Sequence, residues 1–176
     1  MNKQFLVITT LILLAALSRL LPHAPNFSPI AAMALFGGAW IGKKWLAFLV
    51  PMASLLLSDL LISGPDLYAG FWIQYACFAL FVTLGFTLRH HKGILRVGGL
   101  TLTSSVLFYL VTNFGDWALL EMYPKDMSGL VACYTAAIPF FRNTVMGDLF
   151  YSAVLFGGFY LLQLNVPALS KERVQS

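Results

Sequence analysis

Four ionisable residues stand inside or at the ends of long apolar runs: Arg19 in 5–21, Asp59 in 45–62, and Arg142 and Asp148 in 139–164. A charge at membrane depth costs about 2.5–3.5 kcal/mol even on lenient insertion scales, so it persists only where it is paired or lines a polar cavity. Two are basic and two acidic, which lets them compensate one another. They belong either to an ion-pair lattice that holds a bundle together or to the polar floor of a ligand cavity. Arg142 and Asp148, six positions apart, point about 240° apart around a helix and so require separate partners. The expected partners are Asp59 or Asp116 for Arg142, and Arg19 or polar groups such as Asn113 and Ser104 for Asp148. Counted from Pro139, Asp148 falls roughly 13 Å along its helix, near the midplane.

Other chemistry-bearing residues cluster around these charges. The loop from Arg19 to Pro29 carries Pro22, Pro25 and Pro29, each fixing its own φ and disfavouring helix before it. Such a loop is either a rigid connector or a stiff display for His23, Asn26 and Phe27. Tyr68, Phe71, Trp72, Tyr75, Trp117, Tyr123 and Tyr134 gather towards the same side. Interfacial anchoring accounts for most of them; Tyr75 and Trp117, beside Gln74 and Asp116, are also candidates for ligand contact. Cys77 reads as a small apolar core residue or as a soft metal ligand. Cys133 is its conceivable disulfide partner, and His90 and His91 belong to a solvated loop.

These residues need a membrane bundle to position them. The chain has 176 residues, 59% hydrophobic and 10% charged, against about 25% charged in soluble domains, and its mean hydropathy is +0.80. Six apolar segments, 5–21, 29–42, 45–62, 71–88, 98–114 and 139–164, predict an all-α polytopic membrane protein with six transmembrane helices in one compact bundle. The second, about 20 Å long, also suits a re-entrant hairpin. With six spans, Lys3, Lys43, Lys44, Arg89, Lys92, Arg96, Lys171 and Arg173 share one side. Asp66, Asp116, Glu121 and Asp126 share the other, with Lys125 as the exception. That segregation follows the positive-inside rule and predicts that both termini are cytoplasmic. Residues 5–17 after Lys3 also resemble a signal-peptide core, with Ala16-Leu-Ser18 as a cleavage site. The outer connections 22–28, 63–70 and especially 115–138 are the longer ones, and loops above twenty residues are usually functional or carry their own structure. Ala34, Gly38 and Gly42 recur every fourth residue, a pattern for close helix approach, and Gly157-Gly158 suggests the same.

Several function classes fall away. The net charge of +4 is placed in short loops rather than in a basic patch, so no nucleic-acid partner is expected. No Walker loop, dinucleotide fingerprint or nucleophile elbow is present, and no nucleophile–base pair appears at helical spacing. An enzyme is therefore not expected, nor an intrinsic cofactor.

Six short helices with large outer loops after spans one, three and five resemble the substrate-binding S subunits of energy-coupling-factor vitamin transporters. The stretch Phe36-Gly-Gly-Ala-Trp-Ile-Gly-Lys-Lys-Trp45 followed by Ser58-Asp59-Leu-Leu61 is similar to the second-to-third helix passage of that group. The phrases 19–29, Thr112-Asn-Phe-Gly115 and Ile138-Pro-Phe-Phe-Arg-Asn143 also resemble a family of small bacterial membrane proteins without an assigned function. The resemblance implies a multi-pass protein of the bacterial inner membrane that binds a vitamin-sized ligand from the outer face. It makes His23, Asn26, Asp59, Trp72, Tyr75, Arg142 and Asn143 the ligand-binding candidates. One branch of the group, the solitary cobalamin transporters, implies Cys77 as a cobalt ligand that also helps to remove the cyano group, with cobalamin as transported ligand. The docking pair Ala-x-x-x-Ala is missing around Ala15 and Ala16, which fits a solitary protein better than one coupled to a shared energising module. The alternative is a non-transport membrane subunit whose ion pairs only stabilise packing.

Overall fold

The computed structural model describes residues 3–64, 70–166 and 169. Helices α1 (Lys3–Ser18), α2 (Ile30–Trp40), α3 (Lys44–Ser63), α4 (Phe71–Phe86), α5 (Ile94–Leu119) and α6 (Met127–Ser152) follow one another. After α6 a π-helical turn, Ala153–Gly157, leads directly into α7 (Gly158–Asn165). No strand occurs among the described residues. The all-helical expectation is met.

Helix α2 is the hub. Its sequence, IAAMALFGGAW, is apolar on every face, and a helix of that kind belongs in an interior. Each of its residues from Ala31 to Ala39 is buried, and it touches α1, α3, α4, α5 and α6. Small residues permit the close approach. A Cβ on Gly38 would lie 2.2 Å from the Val82 carbonyl oxygen, and one on Gly85 would lie 2.5 Å from that of Leu35. Gly37 likewise faces the Pro51 ring, with 2.5 Å to Cγ. The four-residue repeat thus serves packing within the bundle at Ala34 and Gly38, while Gly42 is exposed. A Cβ at Gly157 or Gly158 would meet nothing within 4 Å, so this pair does not support close helix packing. Phe36 sets its ring edge-on to Phe156 and Phe159, at 5.2 and 5.7 Å, closing the core against the last helical segment.

Among the described residues three helices are long and apolar enough to cross a membrane: α3, α5 and the 39-residue run Met127–Asn165. Helices α1, α2 and α4 are shorter, at 16, 11 and 16 residues. At about 1.5 Å per residue they reach roughly 24, 17 and 24 Å, below the thickness of a hydrocarbon core of about 30 Å. The six expected spans are therefore six helices, of which three have spanning length. The long outer loop 115–138 is also corrected. Helix α5 continues to Leu119 and α6 starts at Met127, capped by the Asp126 carboxylate, which accepts the Gly129 N–H at 2.8 Å. Lys125 closes the other side of this short turn by donating to the Trp117 and Leu120 carbonyls at the end of α5.

Candidate functional site

The C-terminal ends of α1 and α3 and the N-terminal ends of α2 and α4 meet beside the middle of α5 and α6, around a hollow lined by Arg19, Ile30, Ile62, Gln74, Phe108 and Thr144. Arg19, just past α1, pairs its Nη1 with Asp59 Oδ1 at 2.7 Å. The same nitrogen donates to Ser58 Oγ, and Tyr75 Oη donates to Asp59 Oδ2 at 2.9 Å. This ties α1, α3 and α4 together. The expected pairing of Arg142 with Asp59 or Asp116 does not occur. Arg142 is exposed on α6 and makes no ion pair among the described residues, because α6 starts twelve residues before Pro139 and 139–142 lie in mid-helix.

Asp148 is 3% exposed. Its carboxylate accepts from Ser105 Oγ at 2.7 Å and lies beside the backbone N–H of Ala31 in the first turn of α2. Neither Arg19, Asn113 nor Ser104 is its partner. Pro29, at the N-cap of α2, provides no side-chain cap, so the first N–H groups of that buried helix would be orphaned. A carboxylate beside a helix N-terminus satisfies such donors and complements the macrodipole. Asp148 places its charge beside the N-terminus of α2 from across the bundle, with Ser105 as its hydrogen-bond donor, so an acidic residue at this depth needs no cation. Around it, Thr101 Oγ1 and Ser152 Oγ lie 2.9 Å apart, and Ser104 Oγ is buried without a partner among the described residues.

The first loop is pinned to α6. Asn143 Nδ2 donates to the Pro25 carbonyl at 2.9 Å, Phe27 packs against Phe150 and Tyr151, and Gly147 lets the loop approach so closely that a Cβ would lie 2.8 Å from Ser28 N. Asn26 takes φ +62°, a left-handed conformation that asparagine tolerates better than most residues.

Beneath this loop lie two hollows that share Asn26, Phe108 and Thr144 as walls. The larger, about 280 Å³, runs between α5 and α6 and is lined by Tyr109, Asn113, Asp116, Tyr123 and Phe141 among others. The smaller, about 250 Å³, reaches Arg19, His23, Gln74 and Asp148. In the larger, Asp116 is partly buried, and among the described residues its carboxylate has neither a hydrogen bond nor an ion pair. Tyr109 and Phe141 stack beside it with centroids 4.6 Å apart. Among the described residues Asp116 is the one formal charge lining that hollow, and it is negative.

Of the residues singled out from sequence, His23 and Asn26 line the hollows. Asp59, Tyr75 and Asn143 serve as structural ties around them. Trp72 is 74% exposed and meets the Phe71 ring edge-on. Cys77 is buried in the apolar core beside Phe78 and Phe81 and lines neither hollow. Cys133 is a second buried free thiol, donating to the Asn113 carbonyl at 3.4 Å. The described residues contain no group of three metal-ligating side chains. The residues missed from sequence are those of α5 and the middle of α6 that face each other, Phe108, Tyr109, Phe141 and Thr144, while Asn113 was expected beside Asp148 rather than here. Their signal was the cap Asp126-Met-Ser-Gly129 before an apolar run, which marks a helix start.

A family model described as a family of unknown function (DUF6580) matches residues 1–169. No curated protein and no solved structure matches the chain.

Proposed function

For a chain that belongs to the DUF6580 family of unknown function, we propose a membrane protein that takes up a small ligand from one face, in the manner of the vitamin-binding S subunits it resembles. In this reading α1, α2 and α4 also run from face to face. The Arg19 end is the outer side, both termini are cytoplasmic, and the membrane is a bacterial inner membrane.

The observation that carries the reading is the unpaired Asp116 carboxylate in an aromatic hollow. A carboxylate flanked by Tyr109, Phe141 and Tyr123, with no ion pair among the described residues, suits an organic amine, whose charge pairs with the acid and whose carbon frame lies against the rings. Cobalamin, the ligand suggested by the resemblance, is not carried forward. Cys77 is sealed in the core, and hollows of about 280 and 250 Å³ are at or below the range for drug-sized ligands, roughly 300–1,000 Å³. A corrinoid is far larger.

The alternative, a non-transport subunit, is favoured by the Arg19–Asp59–Tyr75 ties, which are satisfied within the chain. A thermal-shift panel on the purified protein separates the two, using phenethylamine, its neutral isostere 2-phenylethanol and phenylacetate. Uptake predicts stabilisation by the amine alone, lost in Asp116→Asn without loss of folding. No response to any of the three, or an unchanged response in Asp116→Asn, favours the subunit.

A further inference from the structure

The opposite end of the bundle holds a much larger groove, about 1260 Å³. It lies between the C-terminal end of α2, the connection after α4, the start of α5 and the run from α6 through the π-turn into α7. Its floor is apolar, with Val97, Leu149 and Phe156, and its mouth is basic, with Arg89, His90 and Lys92; no acidic residue lines it among the described residues.

The two cations at the mouth are held in place. Arg89 Nε donates to the Gly38 carbonyl at 3.1 Å and Nη2 to that of Ile41 at 2.8 Å. Its guanidinium carbon lies 4.4 Å from the Phe86 centroid. Lys92 Nζ donates to the Arg89 carbonyl at 2.6 Å and stands 4.3 Å from the Trp40 ring centroid. Arg89 thereby helps to satisfy carbonyls at the end of α2, and among the described residues its Nη1 makes no hydrogen bond. Beside the mouth, Ile94 and Leu95 are 86% and 89% exposed, an unusual outlay of large apolar surface unless lipid covers it. Along the far wall the π-turn ends at Gly157, where a Cβ would meet nothing within 4 Å. The wall there is bare backbone facing open space, and π-turns are frequent at functional sites.

We propose that this groove seats one anionic phospholipid, its phosphate between Arg89 and Lys92 and an acyl chain along Val97, Leu149 and Phe156. Charge complementarity selects this occupant. Basic pockets between helices at a membrane surface bind anionic headgroups, each cation contributing through attraction to the phosphate, and a long apolar floor next to that charge suits a chain rather than a soluble anion. The site is independent of the Asp116 hollow, which lies at the other end of the molecule.

The test uses the full chain in nanodiscs of dioleoylphosphatidylcholine doped with dioleoylphosphatidylglycerol, released into the gas phase for native mass spectrometry. Wild type is expected to retain phosphatidylglycerol about tenfold over phosphatidylcholine. Lys92→Gln should weaken that preference. Because Arg89→Ala also removes a tie on α2, the deciding variant is Gly157→Leu, which adds a side chain into open space. It should fold normally in pure phosphatidylcholine yet lose the bound phosphatidylglycerol. Equal retention of both lipids by wild type, or full retention by Gly157→Leu, overturns the proposal. So does displacement of the lipid by millimolar inorganic phosphate, which would make the site one for a free anion.

Discussion

At the scale of single residues, the four charges that mark this chain separate into three different roles. Arg19 and Asp59 form a partly buried pair, with side chains 12% and 17% exposed. Asp148 sits beside the N-terminus of a buried helix, and Arg142 faces outward. From the sequence Asp59 or Asp116 is expected for Arg142 and Arg19 for Asp148, because depth and sign allow several partners, and the observed Arg19–Asp59 pair is not among those expected. The role of Asp148 was not legible, because its hydrogen-bond donor is a serine on α5 and its charge sits beside the N-terminus of another helix, and no spacing along one helix encodes either. Removing one member of a buried pair strands the other charge, whereas replacing both with apolar groups is far less costly. Arg19→Met and Asp59→Leu should therefore each destabilise by about 1–3 kcal/mol, reduced from fully buried values by the residual exposure. The double variant should lie well short of their sum. Denaturant titration followed by tryptophan fluorescence measures all three. Strict additivity would show that the two residues do not interact in the folded protein.

At the scale of elements, the boundaries of α2, α3 and α4 fall within about two residues of the apolar segments, because apolar runs and helices coincide where a helix is buried on several sides. Helix α6 departs from its segment by twelve residues at its start, since its first turns are less apolar and begin at a polar cap rather than at a hydrophobic edge. That cap carries a pH dependence. The Gly129 N–H and the Ser128 hydroxyl hold the Asp126 carboxyl below its usual range. Its contribution is complete above the ordinary aspartate value of about 3.9 and disappears as the pH falls through the lowered folded value. Amide-exchange protection at Gly129, corrected for the intrinsic rate, should fall over that acid window in wild type. It should stay flat in Asp126→Asn, which caps without titrating. A flat wild-type profile removes the carboxylate from the cap. Glycines in the same fold should respond with opposite signs. Gly38→Ala drives a Cβ to 2.2 Å from a backbone oxygen and 2.9 Å from Gly85 Cα, so α2 and α4 must part, at a cost of about 1–3 kcal/mol. Gly98→Ala, in α5 with nothing within 4 Å of the new atom, should stabilise by about 0.5–1 kcal/mol through the gain in helix propensity. Unfolding midpoints of the two variants check both signs, and a tolerated Gly38→Ala would mean that the α2–α4 crossing is looser than described.

At the scale of the whole molecule, composition sufficed for an all-helical bundle with spanning segments. The number of crossings did not follow from it, because hydropathy cannot distinguish a short helix wrapped by its neighbours from one that faces lipid. Helix α2 shows why: it has the most uniformly buried sequence in the chain and only 11 residues. Among the described residues three helices have spanning length, yet the groove at the Arg89 end is lined by Gly42, in the connection between α2 and α3, and by His90, after α4. Those two positions lie at the same end of the bundle, so the chain must return between them, and α4 is the element that makes the return. If α4 instead stayed on one surface, the crossing by α3 would leave positions 43 and 91 on opposite sides. Single cysteines at Lys43, His91 and Met122 in a Cys77→Ala, Cys133→Ala background distinguish these arrangements, since all three positions are exposed. With a membrane-impermeant maleimide on oriented vesicles, Lys43→Cys and His91→Cys should label from one side and Met122→Cys from the other. Labelling of positions 43 and 91 from opposite sides would exclude the six-pass arrangement, and with it an outward position for the Asp116 hollow relative to cytoplasmic termini.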